Sequence, residues 1–326
     1  MPIYYSKNCV NIYSYDLLLE QMNKSEIRKD NFKNNFVIIA ANRFKRPQKI
    51  VEPEIEVGKI CYFCPENFRE KTITYEDKNE QGDWEIISFL NDFPVVSLDN
   101  PKSYGQAEVI IETRKHGMDI NEFSVEHILR VFEAYINRYL ELSNTDGIKH
   151  VIVFKNEGGK AGASIPHTHS QVIALPLLPP KVEAEAVAYD KYIIENSSCP
   201  FCDIISKESN GPRVIWEDEN LFVLAPYASE SPYGAWFLPK RHLRTIVDLS
   251  HAEKKSIAMA MKVVLGKLDE LGISYNYFVE NAVCGADYHM HIKLAPRPNV
   301  WAGLELGTGV IVNFMPPEKA AEIYRS

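Results

Sequence analysis

The chain repeats itself. Cys61-x-x-Cys64 is followed by His116 and then by His167-x-His169; at comparable offsets, Cys199-x-x-Cys202 is followed by His242 and then by His289-x-His291. The text between these residues matches as well. VIIETRKHGMDINEFSVEH stands against AWFLPKRHLRTIVDLSHAE, and HTHSQVIALP against YHMHIKLAP. A duplication of this kind constrains the fold more than any bulk figure, because both halves must reach one architecture with largely different side chains.

Each copy carries one clear helix. In the first, Ile128, Leu129, Phe132, Tyr135, Ile136, Tyr139 and Leu140 recur at the helical period. In the second, Ser250 and Glu253 read as a capping box ahead of Ile257, Met261, Val264, Leu265, Leu268 and Leu271. Runs such as VIVFKN (151–156) and NYFVEN (276–281) are rich in β-branched and aromatic residues and read as strands. The expected fold class is therefore α+β, a duplicated fold in which each half is a mostly antiparallel sheet with a helix. The expected division is 1–180 and 181–326, joined by a linker at 175–190. Residues 1–30 read as a loosely attached arm or short helix.

With 326 residues, 45% of them apolar and 25% charged, the chain has ample material for such a core. Its net charge of −8, with no block of Lys or Arg, argues against a nucleic-acid backbone or an anionic membrane as partner. No apolar run reaches the roughly 18 residues of a membrane span, and the first residues lack a secretory pattern, so a cytoplasmic location is expected. In that reducing setting six cysteines do not read as a disulfide framework. Cys9 and Cys284 read as small buried thiols; His127, His150 and His251 read as ordinary surface or core histidines.

Two thiols and two distant histidines make a tetrahedral ligand set for zinc. The first set is Cys61, Cys64, His116 and His167; the second is Cys199, Cys202, His242 and His289. A lone Cys-x-x-Cys could be a redox pair, but two, each followed by matching histidines, point to metal. Closed four-ligand sites leave no position for water, so two structural zinc ions per chain are expected.

Along a strand, residues two apart share a face, which aligns His167, His169 and Gln171 at steps of roughly 6.6 Å. With His167 held by metal, His169 becomes a free imidazole on a rigid support, as a nucleophile requires. Gln171 could donate to a phosphoryl oxygen. The upstream KNEGGKAGAS (155–164) has glycines that permit close approach to an anion, with Asn156 and Ser164 as donors. The alternative is an all-metal site using both histidines.

These residues carry a resemblance. EIRKDNFKNNFVIIAANRFKRPQ, CYFC, FKNEGGKAGASIPHTHSQ, CPFC, PKRH and YHMH together resemble the galactose-1-phosphate uridylyltransferase family of the histidine-triad superfamily, and especially its ADP-glucose phosphorylase-like members. The match runs from about Glu26 onward. It implies a histidine-triad-like fold in each half and a ping-pong reaction through a nucleotidyl-His169 intermediate. It also implies phosphate contacts from Arg43 and Arg46, nucleoside contacts from Asn91 and Asp92, and Asn156, Gly162, Ser164 and Gln171 around the transferred phosphoryl group. Read without the family, Arg43 and Arg46 are a basic surface, and Asn91-Asp92 is a turn before Pro94. The implied partners are a nucleotide sugar and a sugar 1-phosphate or phosphate, in a homodimer of galactose or carbohydrate metabolism. UDP-glucose is favoured as donor and a hexose 1-phosphate as acceptor. The alternatives are an ADP-glucose phosphorylase using phosphate, a hydrolase, and a non-enzymatic zinc-supported nucleotide-binding protein. Two departures bear on the acceptor: Thr168 stands where uridylyltransferases typically carry Pro, and LELGTGVIVN (304–313) is phosphorylase-like.

Overall fold

Alternation decides which side of each strand is covered. In the strand that carries VIVF, Val151 and Val153 are buried while Ile152 and Phe154 are half-buried; in the strand of the H-x-H motif, Val172 and Ala174 are buried while Gln171 and Ile173 are not. The buried set faces two long helices and the other set faces an open side where ligands can enter. The computed structural model describes residues 25–41, 43, 60–69, 71–283 and 287–326.

In chain order the elements are β1 (Glu26–Lys29), β2 (Phe36–Ile39), β3 (Ile73–Lys78), β4 (Trp84–Leu90), β5 (Gln106–Ile111), α1 (Val125–Ser143), β6 (His150–Glu157), β7 (His169–Leu175), α2 (Pro180–Asn196) and α3 (Pro200–Glu208). There follow β8 (Val214–Glu217), β9 (Leu221–Leu224), β10 (Ala235–Pro239), α4 (His251–Glu270), β11 (Tyr275–Glu280), β12 (His291–Pro296), α5 (Gly303–Thr308), β13 (Ile311–Asn313) and α6 (Pro317–Arg325). Ten strands form one antiparallel sheet in the order β3-β4-β5-β7-β6-β11-β12-β10-β9-β8. Its left five and right five are the same path read from the centre outward, so the duplication reappears as a symmetric order about the β6–β11 seam. A small sheet, β1-β2-β13, stands apart.

Both expected helices are present. Ser250 accepts from Glu253 N at 3.2 Å and Glu253 Oε2 accepts from Ser250 N at 2.8 Å, which completes the capping box of α4. The buried face of α1 is wider than its apolar stripe: Val131, Ala134, Arg138 and Leu142 join it, while Leu140 is exposed, because the helix packs on the sheet and on α4 at once. Two expectations change. The stretch at 175–190 is not mainly a linker; from Pro180 it is helix α2, with Pro at the first turn, where its missing N–H is harmless. The polar N-terminal arm ends earlier than residue 30, since Glu26–Lys29 pairs with Phe36–Ile39 as a strand. Residues 1–24 lie outside the described residues.

Among the described residues, Arg138 is the largest fully buried side chain. Its Nε and Nη2 donate to the two oxygens of Glu108 at 2.7 and 2.8 Å, and Thr74 and Ser88 hydroxyls complete that carboxylate at 3.0 and 3.1 Å. Removing one partner leaves a buried charge unpaired, which costs about 3–5 kcal/mol, whereas an apolar pair of similar volume can be neutral. Arg138→Met should therefore lower the urea unfolding free energy by several kcal/mol, and the double change with Glu108→Leu should recover most of the loss. Equal losses in the single and double variants would contradict this.

Candidate active site and metal-binding centres

The first Cys-x-x-Cys turn brings Cys61 and Cys64 under the start of β7. Cys64 Sγ lies 3.4 Å from His116 Nδ1 and 3.6 Å from His167 Nδ1, and Cys61 Sγ lies 3.6 Å from His167 Nδ1. His167 Nε2 donates to the Thr113 carbonyl at 2.8 Å, which fixes the tautomer and leaves the Nδ1 lone pair toward the thiols. The second half repeats this. Cys202 Sγ is 3.5 Å from His242 Nδ1 and 3.5 Å from His289 Nδ1, Cys199 Sγ is 3.8 Å from His289 Nδ1, and His289 Nε2 donates to the Pro239 carbonyl at 2.9 Å. In each set the four ligand atoms lie within 4.8 Å of one another, so both sets could hold a metal ion. Cys9 and Cys284 lie outside the described residues.

His169 is the next inward-facing residue. Its Nδ1–H donates to the His167 carbonyl at 2.8 Å, which leaves Nε2 as the free lone pair. Burial, and then the positive charge of Lys155, push its pKa below the ordinary histidine value, so the ring is held neutral. Phe63, from the Cys-x-x-Cys turn, packs edge-on against it with centroids 5.2 Å apart. His169 and Gln171 open into a cavity of about 650 Å³ whose lining includes Ser164, Asn91 and Asp92. Asn91 also closes an Asx turn, its Oδ1 accepting from Phe93 N at 2.9 Å, so the turn and the cavity wall are one feature.

The structure places the other expected residues less centrally. Asn156, next to last in β6, has its Oδ1 accepting from Asn276 at 2.7 Å, and Gly162 adopts φ +89 in the loop beyond. Neither is among the residues that line the cavity. In the same loop Gly158 is required twice over: its φ is +81, and a Cβ there would meet Ser274 Oγ at 2.2 Å. Arg43 is exposed and is not part of the lining, and Arg46 lies outside the described residues. The cavity wall does contain Asn67, Arg69 and Lys71, which sequence reasoning missed. Lys71 pairs with Asp92 and sits 5.3 Å over the Phe89 ring. Their only signal was two basic residues shortly after CYFC.

Behind β7 lies a feature that no motif announces. Thr168 and Ser170, alternating with the histidines, point to the helix side and donate to Glu112, Thr168 at 2.8 Å. Lys155 Nζ lies 2.9 Å from Glu112 Oε2 and also reaches Thr168, and Tyr135 OH donates to Glu112 Oε1 at 2.6 Å. Tyr277 joins Tyr135 at 2.6 Å. Glu112, Lys155 and Ser170 have no exposed surface.

The equivalent of His169 in the second half is His291, and its surroundings differ. It is fully buried against Phe201, Trp236 and Tyr288, with the Phe201 centroid 4.3 Å away, and its Nε2 has no hydrogen-bond partner among the described residues. The residue two further on is Lys293, held by both oxygens of Glu185 at 2.8 Å.

Two copies of one sheet motif, each with a Cys-x-x-Cys turn and two histidines beside an H-x-H strand, define a duplicated histidine-triad fold. The comparisons agree. The chain is 28% identical over 327 residues to a galactose-1-phosphate uridylyltransferase of Thermotoga maritima, spanning 92% of this chain and 98% of the relative. It is 28% identical over 334 residues to an ADP-glucose phosphorylase of Arabidopsis thaliana, 92% of each chain. The crystal structure of an Arabidopsis thaliana ADP-glucose phosphorylase with bound ADP-glucose superposes with a TM-score of 0.83 at 26% identity, covering 93% of this chain and 99% of that one. A family model described as the N-terminal domain of a domain of unknown function (DUF4931) matches residues 38–178. Over most of its length the chain is thus similar both to galactose-1-phosphate uridylyltransferases and to ADP-glucose phosphorylase.

Glu112 yields a pH-dependent expectation. Burial alone would raise its pKa, but Lys155 and the Ser170 and Tyr135 hydroxyls outweigh it and the net shift is downward from 4.5. A depressed carboxylate contributes stability that is full above its unfolded value and is lost as pH falls through its native one. Glu112→Gln should cost several kcal/mol at pH 7, and that deficit should begin to shrink only below about pH 4.5. Denaturant melts of both proteins across pH 7 to 3 read this; a deficit that closes between pH 7 and 5 would contradict it.

Proposed function

We propose that the protein is a nucleotidyltransferase acting on nucleotide sugars through a covalent bond to His169, with uridylyl transfer from UDP-glucose to a hexose 1-phosphate as the favoured reaction. The observation that carries it is the single free Nε2 of a buried, neutral His169, fixed through Nδ1 and set beside Gln171 in a cavity of about 650 Å³. Nε2 attacks the α-phosphorus of the donor. The N–P bond forms as the bond to the sugar 1-phosphate oxygen breaks, and the sugar 1-phosphate leaves. The imidazole becomes cationic, and the His167 carbonyl that accepts from Nδ1–H stabilises it. Gln171 and Ser164 donate to the phosphoryl oxygens as charge builds. A phosphate oxygen of the acceptor then attacks phosphorus, the N–P bond breaks, and neutral His169 returns.

The donor sets suit zinc, two thiols and two imidazoles each, and a closed tetrahedral ion would supply rigidity with no water to activate. In the first half it would hold His167 and hence the carbonyl that orients His169. Asn91, Asp92, Arg69 and Lys71 are assigned to the nucleoside and phosphates, with Asn156, Gly162, Arg43 and Arg46 as further contacts implied by the family. The reading includes halves divided at 180/181 and a cytoplasmic homodimer of galactose or carbohydrate metabolism. Among the described residues no helix is long and apolar enough to cross a membrane.

A second reading is ADP-glucose phosphorolysis. It is favoured by the bound ADP-glucose of the Arabidopsis structure and by the phosphorylase-like sequence of residues 304–313, which lie in α5 and β13 and are not among the residues lining the His169 cavity.

Two measurements test these proposals. Protein purified without chelator should contain close to two zinc ions per chain; a ratio near zero would overturn the metal assignment. Enzyme incubated with UDP-glucose and galactose 1-phosphate should form UDP-galactose and release glucose 1-phosphate. If ADP-glucose and inorganic phosphate react while the hexose 1-phosphate does not, the phosphorylase reading replaces it.

A further inference from the structure

The two metal-binding centres share their ligand types but not their surroundings. In the first half, Cys61 and Cys64 lie in turns, and the His116 ring is exposed. In the second half, Cys199 is the N-cap of α3 and Cys202 lies in its first turn. Both of these thiols therefore sit at the start of a nine-residue helix, where free N–H groups and the macrodipole favour negative charge.

Two further groups face the second centre. Tyr189, from α2, is 1% exposed, and its hydroxyl has no nitrogen or oxygen partner among the described residues. Its ring packs in the apolar cluster that Cys199 joins, and the Cys199 thiol is the neighbour its hydroxyl meets. Buried hydroxyls are rarely left without an acceptor. Zinc binds cysteine as the thiolate, the proton passing to solvent, so metal entry would turn a poor acceptor beside Tyr189 into an anionic one. Asp287 Oδ1 lies 3.2 Å from His242 Nε2, the nitrogen opposite the one that faces Cys202. The carboxylate stands off the N–H axis, and at 73% exposure its side chain can turn onto it. A carboxylate behind a ligating imidazole fixes the ring and raises its basicity. Among the described residues no hydroxyl meets Cys61 or Cys64, and no carboxylate pairs with His116.

We propose that the second centre retains its zinc at lower free metal than the first, and that Tyr189 and Asp287 make the difference by holding a ligating thiolate and a ligating imidazole from behind. The helix start of α3 works in the same direction, since it favours both thiolates. Tyr189 also makes α2 part of the second centre, so metal there joins α2 and α3 to the sheet. As free zinc falls, the first centre empties first. That centre contains His167, whose carbonyl orients His169. The inference rests on the assignment of zinc to both ligand sets and not on which reaction runs at His169.

Cysteine alkylation reads each centre separately. The full chain, loaded with zinc, is equilibrated in chelator buffers of graded free zinc, pulsed with iodoacetamide, and mapped by peptide mass. In wild type, Cys61 and Cys64 should become reactive at a free-zinc concentration at least about tenfold above that which exposes Cys199 and Cys202. Tyr189→Phe, which keeps the ring, and Asp287→Asn, which removes the charge, should each raise the midpoint of the second pair about tenfold or more and leave that of the first unchanged. Both pairs should be protected in both variants at saturating zinc. Pairs that open together or in the reverse order overturn the proposal. So does a second midpoint indifferent to either variant, or a shift of both midpoints together, which marks general destabilisation. Should a variant fail to fold, the order in wild type still decides. Reactivity of both pairs at every zinc concentration, with no zinc retained, fails the metal assignment itself and this inference with it; two retained equivalents of equal affinity fail this inference alone.

Discussion

The Glu112–Lys155 ion pair is buried completely behind the strand that carries His169, and much of the site depends on it. A strand presents alternate residues to opposite sides, so β7 can be held from both. On the open side His167 joins the thiol cluster. On the helix side Thr168 and Ser170 donate to Glu112, whose remaining capacity is filled by Lys155 and Tyr135. A slip of one residue would move Thr168 among the cysteines and His169 into the ionic network, leaving both sets unpaired. The register that aims His169 into its cavity is therefore fixed by two independent sets of buried polar groups, and each becomes costly if left unsatisfied.

The two halves show how one local motif can be placed in different surroundings. Both place a histidine two residues after the thiol-facing one, with Nδ1–H on that residue's carbonyl, at 2.8 and 2.9 Å. Both place a phenylalanine from the Cys-x-x-Cys turn against that ring. The difference is what lies over Nε2. At His169 it is a cavity with Gln171 on its wall. At His291 it is aromatic surface, with Lys293 locked to Glu185 from α2. An identical local motif thus has a different chemical capacity according to the side chains one strand away.

Legibility followed the range of the signal. The two Cys2His2 sets were readable because cysteine pairs are rare and the repeat gives each residue an internal control; the structure brings all eight into two clusters that could hold metal ions. That His169 and Gln171 share one face, and hence one cavity, was readable from the period of a strand. The Glu112 network was not, because Lys155, Thr168, Tyr135 and Tyr277 look like ordinary loop, strand and helix residues, and their convergence depends on long-range pairing. Arg138 was hidden for the same reason, a charge at an apparently solvent-facing helix position that finds Glu108 across the core. Helix α2 was masked by Pro176, Pro179 and Pro180, which read as linker until Pro180 is seen to sit in the first turn of a helix. Nothing in the sequence separated the exposed Arg43 from the cavity-lining Arg69 and Lys71.

Peptide mapping of the covalent adduct is the direct test of a reaction centred on His169. The enzyme would be loaded with labelled UDP-glucose or ADP-glucose, denatured at alkaline pH to preserve a nitrogen–phosphorus bond, digested and sequenced by mass spectrometry. The account predicts one nucleotidyl group per chain, on His169, in the peptide that spans 165–175. A nucleotidyl group on His291, on a cysteine of either cluster, or on no residue while turnover proceeds would contradict it.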